Sequence, residues 1–87
     1  MKIIADENLA FTDYFFAEFG TIEHKAGRSL THSDVKDAEA LLVRSVTKVN
    51  QTLIQNTSLK FVGSATIGTD HLDIPVIEQQ GIAWSNA

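Results

Sequence analysis

The chain has 87 residues, 44% of them hydrophobic and 21% charged, with a net charge of −4, which is the make-up of one ordinary globular domain near the small end of the usual range. The seven basic residues are scattered, which excludes the electrostatic footprint of a nucleic-acid binder. The lack of cysteine excludes a disulfide framework and a thiolate zinc site, and no apolar run approaches the ~20 residues that span a bilayer.

The opening Met1-Lys2-Ile3-Ile4-Ala5-Asp6-Glu7 turns acidic after three apolar residues, which speaks against a secretory signal and makes the cytoplasm the expected location. Ile3-Ile4-Ala5 reads as a short strand buried on both faces, being continuously apolar and ending at polar residues. Asn8 is placed to cap a helix over 9–19, in which Phe11, Phe15 and Phe19 lie four apart on one face, and Gly20 stops it. Thr21-Ile22-Glu23-His24 alternates and reads as an outer strand. Residues 26–31 show no periodicity and read as loop, followed by about one helical turn around Ser33 to Asp37. A strand over Leu41 to Arg44 comes next. Asn50 then caps a short helix through Gln55, anchored by Leu53 and Ile54, and a strand follows over Phe61 to Ser64. Asp73 caps a further helix with Pro75 in its first turn, where the missing N–H costs nothing; Gly81 ends it and Ile82-Ala83-Trp84 is the last strand. Strands alternating with helices at this spacing predict βαβ units with right-handed crossovers, and so a parallel α/β sheet in a single domain over 1–87.

Two of these strands break directly into small hydroxyl and glycine residues: Val43-Arg44-Ser45-Val46-Thr47, and Val62-Gly63-Ser64-Ala65-Thr66-Ile67-Gly68-Thr69. A parallel sheet ends its strands along one edge, and the crevice there is where open α/β sheets bind ligands. Ser45, Thr47, Thr66 and Thr69 offer hydroxyls, Gly68 permits close approach to the backbone, and Arg44 supplies a planar cationic fork suited to carboxylate or phosphate. For each hydroxyl the plainer role is a turn or cap, and for Arg44 a surface ion pair; two parallel strands ending alike favour recognition of a small polar ligand. Asp6 and Glu7 follow the first strand as the acidic pair of a signalling receiver domain would, but the place of its phospho-accepting aspartate is held by Arg44. They read instead as a solvated loop ahead of the Asn8 cap. Asp70, His71 and Asp73 do not converge as metal ligands, His24 and His32 read as surface residues, and Trp84 reads as packing. No nucleophile–base pair or acid–base dyad can be assembled, so no catalytic residue is assigned. An interaction module that uses a bare apolar face is a third possibility.

The stretches Val43 to Asn50 and Phe61 to Asp73, with the opening Asp6-Glu7-Asn8, closely resemble the D-isomer-specific 2-hydroxyacid dehydrogenases over essentially the whole chain. The resemblance implies a flavodoxin-like substrate-binding domain, strand order 2-1-3-4-5 with helices on both faces, joined in a homodimeric parent to a Rossmann domain that binds NAD. This stretch has no glycine fingerprint of its own. Within the superfamily, the Arg-Ser-Val-Thr-Lys-Val-Asn run implies a phosphorylated substrate, 4-phospho-D-erythronate, in the synthesis of pyridoxal phosphate. It further implies that Ser45 and Thr66 contact the substrate with Arg44 and Gly68 beside them, and that the catalytic arginine, glutamate and histidine lie in the part outside this chain. Ile67 departs from the family, which usually has a small residue there.

Overall fold

The computed structural model describes residues 2–8, 20–65 and 68–86. Five parallel strands form one sheet: β1 (Lys2–Asp6), β2 (Thr21–Lys25), β3 (Ala40–Val43), β4 (Phe61–Ser64) and β5 (Ala83–Asn86). Their spatial order is β2-β1-β3-β4-β5, the expected one. Ile3 lies beside Ile22 on one side and Ala40 on the other, Val43 beside Ser64, and Ser64 beside Asn86. Because all pairs are parallel, Asp6, Lys25, Val43, Ser64 and Asn86 end the strands along a single edge, here called the carboxyl edge.

Alternation along the strands divides the core in two, since successive side chains leave a strand on opposite faces. Ile4, Leu41, Val43 and Val62 point to one face. They meet Val35 of α1 (His32–Val35), Leu53 and Ile54 of α2 (Gln51–Ile54) and Ile77 of α3 (Ile74–Gln79). On the other face Ile3, Ala5, Ala40 and Leu42 cluster with Ile22 and Phe61. The described helices all pack on the first face, and the helix expected over 9–19 lies outside the described residues.

Local chemistry sets the helix ends. Asn50 accepts from the Leu53 amide at 3.1 Å and Asp73 from the Val76 amide at 3.4 Å, with Pro75 in the first turn of α3, as expected. Gly81 takes φ +73° after α3, a left-handed value that glycine tolerates without penalty. The helical turn expected at 33–37 begins earlier, at His32, because Thr31 precedes it and Asp34 reaches back to accept from the Thr31 amide at 3.0 Å and its hydroxyl at 3.1 Å. Residues 26–31, expected as plain loop, contain a 3-10 turn over Gly27–Ser29.

Every strand but β4 shifts at one or both ends by one or two residues, β2 running on to Lys25. β1 runs on to Asp6, and β3 ends at Val43, so that Arg44 lies beyond it. β5 begins at Ala83 and leaves Ile82 to fill the core just ahead of it. Trp84 packs against the first core cluster, as read from sequence.

Candidate functional site

Two segments leave the carboxyl edge side by side, a loop over residues 44–50 after β3 and, after β4, a second whose described residues are 65 and 68–73. The register that pairs Val43 with Ser64 continues one residue further, the Ala65 amide donating to the Val43 carbonyl at 3.0 Å. Farther out the loops are joined again. The Val49 amide donates to the His71 carbonyl at 2.8 Å and the Asp73 amide to the Val49 carbonyl at 2.9 Å, an isolated parallel bridge of Val49 with Leu72. The loops therefore form one unit fixed at both ends.

Ser45 stands exposed at the start of the first loop, directly beyond the strand end. Gly68 is exposed in the second, and an added Cβ there would meet nothing within 4 Å. Glycine at 68 thus leaves open space at this edge and is not demanded by packing. Thr66 and Ile67 lie outside the described residues, so the expected meeting of Ser45 and Thr66 does not enter the geometry.

One of the expected ligand groups serves the fold. Thr47 is buried, and its hydroxyl donates to the Gly27 carbonyl at 2.8 Å, linking the loop after β3 to the 3-10 turn. Asp6 corrects the sequence reading more deeply. It is no solvated loop residue but the last residue of β1, fully buried, because it shares the inward face of Ile4 two positions back. Its Oδ1 lies 3.2 Å from Nε of Arg44 and accepts from the Asn8 amide at 2.8 Å. Arg44, with a 35% exposed side chain, thus reaches across the edge from β3 to the end of β1. Glu7 alone of the acidic pair is exposed.

Sequence reasoning also missed the link between Ser64 and His71. Both are buried, and Ser64 Oγ lies 2.7 Å from Nε2 of His71, bracketing the second loop. His32, read as a surface residue, is half-buried at the surface and has a partner there, its Nε2 lying 2.7 Å from the Gln55 carbonyl. The signal available for Asp6 was its two-residue spacing from Ile4 on a buried strand. For His71 the sequence offered none.

Beside this edge, between the 3-10 turn and the first loop, opens a groove of about 570 Å³ whose lining includes Gly27, Arg28, His32, Thr47, Lys48 and Asn50. Among the described residues no cluster of three or more His, Asp or Glu side chains is arranged to hold a metal ion. No described helix is long and apolar enough to cross a membrane.

The family model described as "D-isomer specific 2-hydroxyacid dehydrogenase, catalytic domain" matches residues 3–87. The chain belongs to this family. It is 79% identical over all 87 residues to an erythronate-4-phosphate dehydrogenase of Acinetobacter baumannii and covers 24% of that protein. It is 60% identical over 88 residues to an erythronate-4-phosphate dehydrogenase of Shewanella sediminis and covers 23% of it. Among solved structures it is similar to D-lactate dehydrogenase from Aquifex aeolicus, complexed with NAD and lactic acid. That match has a TM-score of 0.79 at 15% identity and covers 100% of this chain and 28% of the other, which speaks for the fold. The chain thus spans about a quarter of the length of the curated relatives it matches.

Proposed function

We propose that this chain is the substrate-binding part of an NAD-dependent dehydrogenase that oxidises 4-phospho-D-erythronate at C2, in the synthesis of pyridoxal phosphate. The supporting observation is the 79% identity along its full length to a relative named for that substrate. In this reading residues 1–87 form one domain of a larger homodimeric enzyme, and the cofactor is held by a dinucleotide-binding domain outside the chain, since the five glycines here form no Gly-x-Gly-x-x-Gly run. The catalytic arginine, glutamate and histidine also lie outside it, and Arg44 is not that arginine.

The chain's own part is to hold the hydroxy acid. Ser45 and Thr66 donate hydroxyl hydrogen bonds to the substrate from neighbouring loops, Gly68 leaves room for it, and Arg44 contributes positive charge. Support comes from the carboxyl edge itself: Ser45 and Gly68 are exposed on two loops that Val49 and Leu72 bind together, at the place where open α/β sheets take their ligands.

The test is steady-state turnover by the full-length enzyme, following NADH formation. The expected result is kcat/KM for 4-phospho-D-erythronate ~10–100-fold above that for D-erythronate, the loss that follows when charge-assisted phosphate contacts are removed. Equal values for the two acids would overturn the substrate assignment. Ser45→Ala or Thr66→Ala should each lower kcat/KM by roughly 2–12-fold, the equivalent of one hydrogen bond. Calorimetric titration of the 87-residue chain with NAD should show no binding, and micromolar affinity would overturn the placing of the cofactor.

A further inference from the structure

Asp6 and Arg44 present an unusual economy. Asp6 is fully buried, and among the described residues neither its Oδ2 nor the buried Nε of Arg44 makes a hydrogen bond, although that Nε lies 3.2 Å from Oδ1. A buried ion pair with orphaned atoms is a poor means of stabilising a fold, because desolvation offsets most of the attraction and apolar residues of like volume do as well or better. The pair does, however, fix one thing. Arg44 is the first residue after β3 and the neighbour of Ser45, and with Nε held against Asp6 its guanidinium keeps two terminal nitrogens carrying four N–H donors. Asp6 itself is held from the other side by the Asn8 amide. It also sits so close to Gly27 that a Cβ there would overlap Oδ2. The carboxylate is therefore boxed in, and the arginine's Nε lies against it at ion-pair distance.

We propose that Asp6 is a positioning residue of the substrate site: by holding Nε of Arg44 it presents the two terminal guanidinium nitrogens to an anionic group, carboxylate or phosphate, of the 2-hydroxy acid beside Ser45. This rests on the reading that the carboxyl edge binds such an acid. A planar fork held at Nε binds an oxyanion with two parallel hydrogen bonds and loses little conformational freedom in doing so, which a mobile surface arginine cannot do.

The experiment is a double-mutant cycle in the full-length enzyme with Asp6→Asn, Arg44→Gln and the two combined, recording KM, kcat and thermal unfolding. It is run with whichever 2-hydroxy acid the wild type oxidises, so failure of 4-phospho-D-erythronate as a substrate strikes the substrate assignment and leaves this test intact. Arg44→Gln should raise KM ~10-fold, as expected for loss of a hydrogen bond to a charged group. Asp6→Asn should raise it by a comparable factor, with kcat changing much less. In the Arg44→Gln background Asp6→Asn should have no further effect on KM, because its influence passes through the arginine. A normal KM in Arg44→Gln, or in Asp6→Asn with only the unfolding temperature lowered, would show a merely structural pair and overturn the proposal; so would additive effects in the double variant. Should Asp6→Asn alone fail to fold, the comparison of Arg44→Gln with the double variant, in which no unpaired charge remains, decides by the same criterion.

Discussion

Ser64 and His71 bracket the loop after β4 with a buried side-chain contact of 2.7 Å between Oγ and Nε2. One end of the contact is the last residue of β4, and the other is the residue whose carbonyl accepts from Val49. The segment that carries Gly68 is thereby tied at its base to the sheet and to the neighbouring loop.

Removing that tie should be costly. Ser64→Ala leaves a ring nitrogen of buried His71 without this partner, and the expected loss is about 1–3 kcal/mol of unfolding free energy. Urea denaturation of the 87-residue chain measures it, and an unchanged midpoint would show that the contact contributes nothing to stability.

Gly27 admits no larger residue. An added Cβ would collide with the Asp6 carboxylate and approach the Thr47 hydroxyl to 2.9 Å, and both neighbours are buried. Gly27→Ala is expected to destabilise by about 1–3 kcal/mol through overpacking. Its effect should shrink in an Asp6→Ala background, where the obstructing carboxylate is gone, and equal effects in both backgrounds would refute the collision.

Stability should fall in acid partly through Asp34. The Thr31 amide, donating to its carboxylate, holds its pKa below the ordinary value. A group depressed in the folded state contributes stability above its unfolded pKa of about 3.9 and loses it as pH drops through the lower folded value. Wild type should therefore exceed Asp34→Ala in stability at pH 6 by a small margin, because solvent screens the site. That margin should narrow by pH 3. A margin constant with pH, measured by denaturant unfolding, would contradict the assignment.

Ile54 is fully buried beneath the sheet on α2. Ile54→Ala should cost ~2–5 kcal/mol, against a total of about 4–13 kcal/mol typical for a chain of this length. The variant should be partly unfolded near 37 °C by circular dichroism, and an unaffected melting curve would show that the site collapses to fill the gap.

What could be read from the sequence was what neighbours along the chain decide. The limits of β4, the caps at Asn50 and Asp73, the turn at Gly81 and the outer place of β2 each depend on a few consecutive residues, and the strand order followed from the resemblance. The misses concern pairs joined only by the fold. Asp6 meets Arg44 across 38 positions, and it becomes inward-facing only because β1 runs one residue longer than its apolar run. His32 finds the Gln55 carbonyl across 23 positions. Thr47 looked like a free hydroxyl because nothing in its own segment announces the Gly27 carbonyl. Contacts between distant segments gave each of these residues a partner, and took Asp6 and Thr47 into the interior.

One of the two edge strands also bears on how the protein behaves in a crowded solution. β2 is flanked on one side only, and its Glu23 sits between Lys2 at 3.8 Å and Lys25 at 3.9 Å. Such weak surface pairs add little to folding, yet hydrated charges of alternating sign make a bad template for a stranger's backbone. The β2 rim is thus guarded against amyloid-like growth.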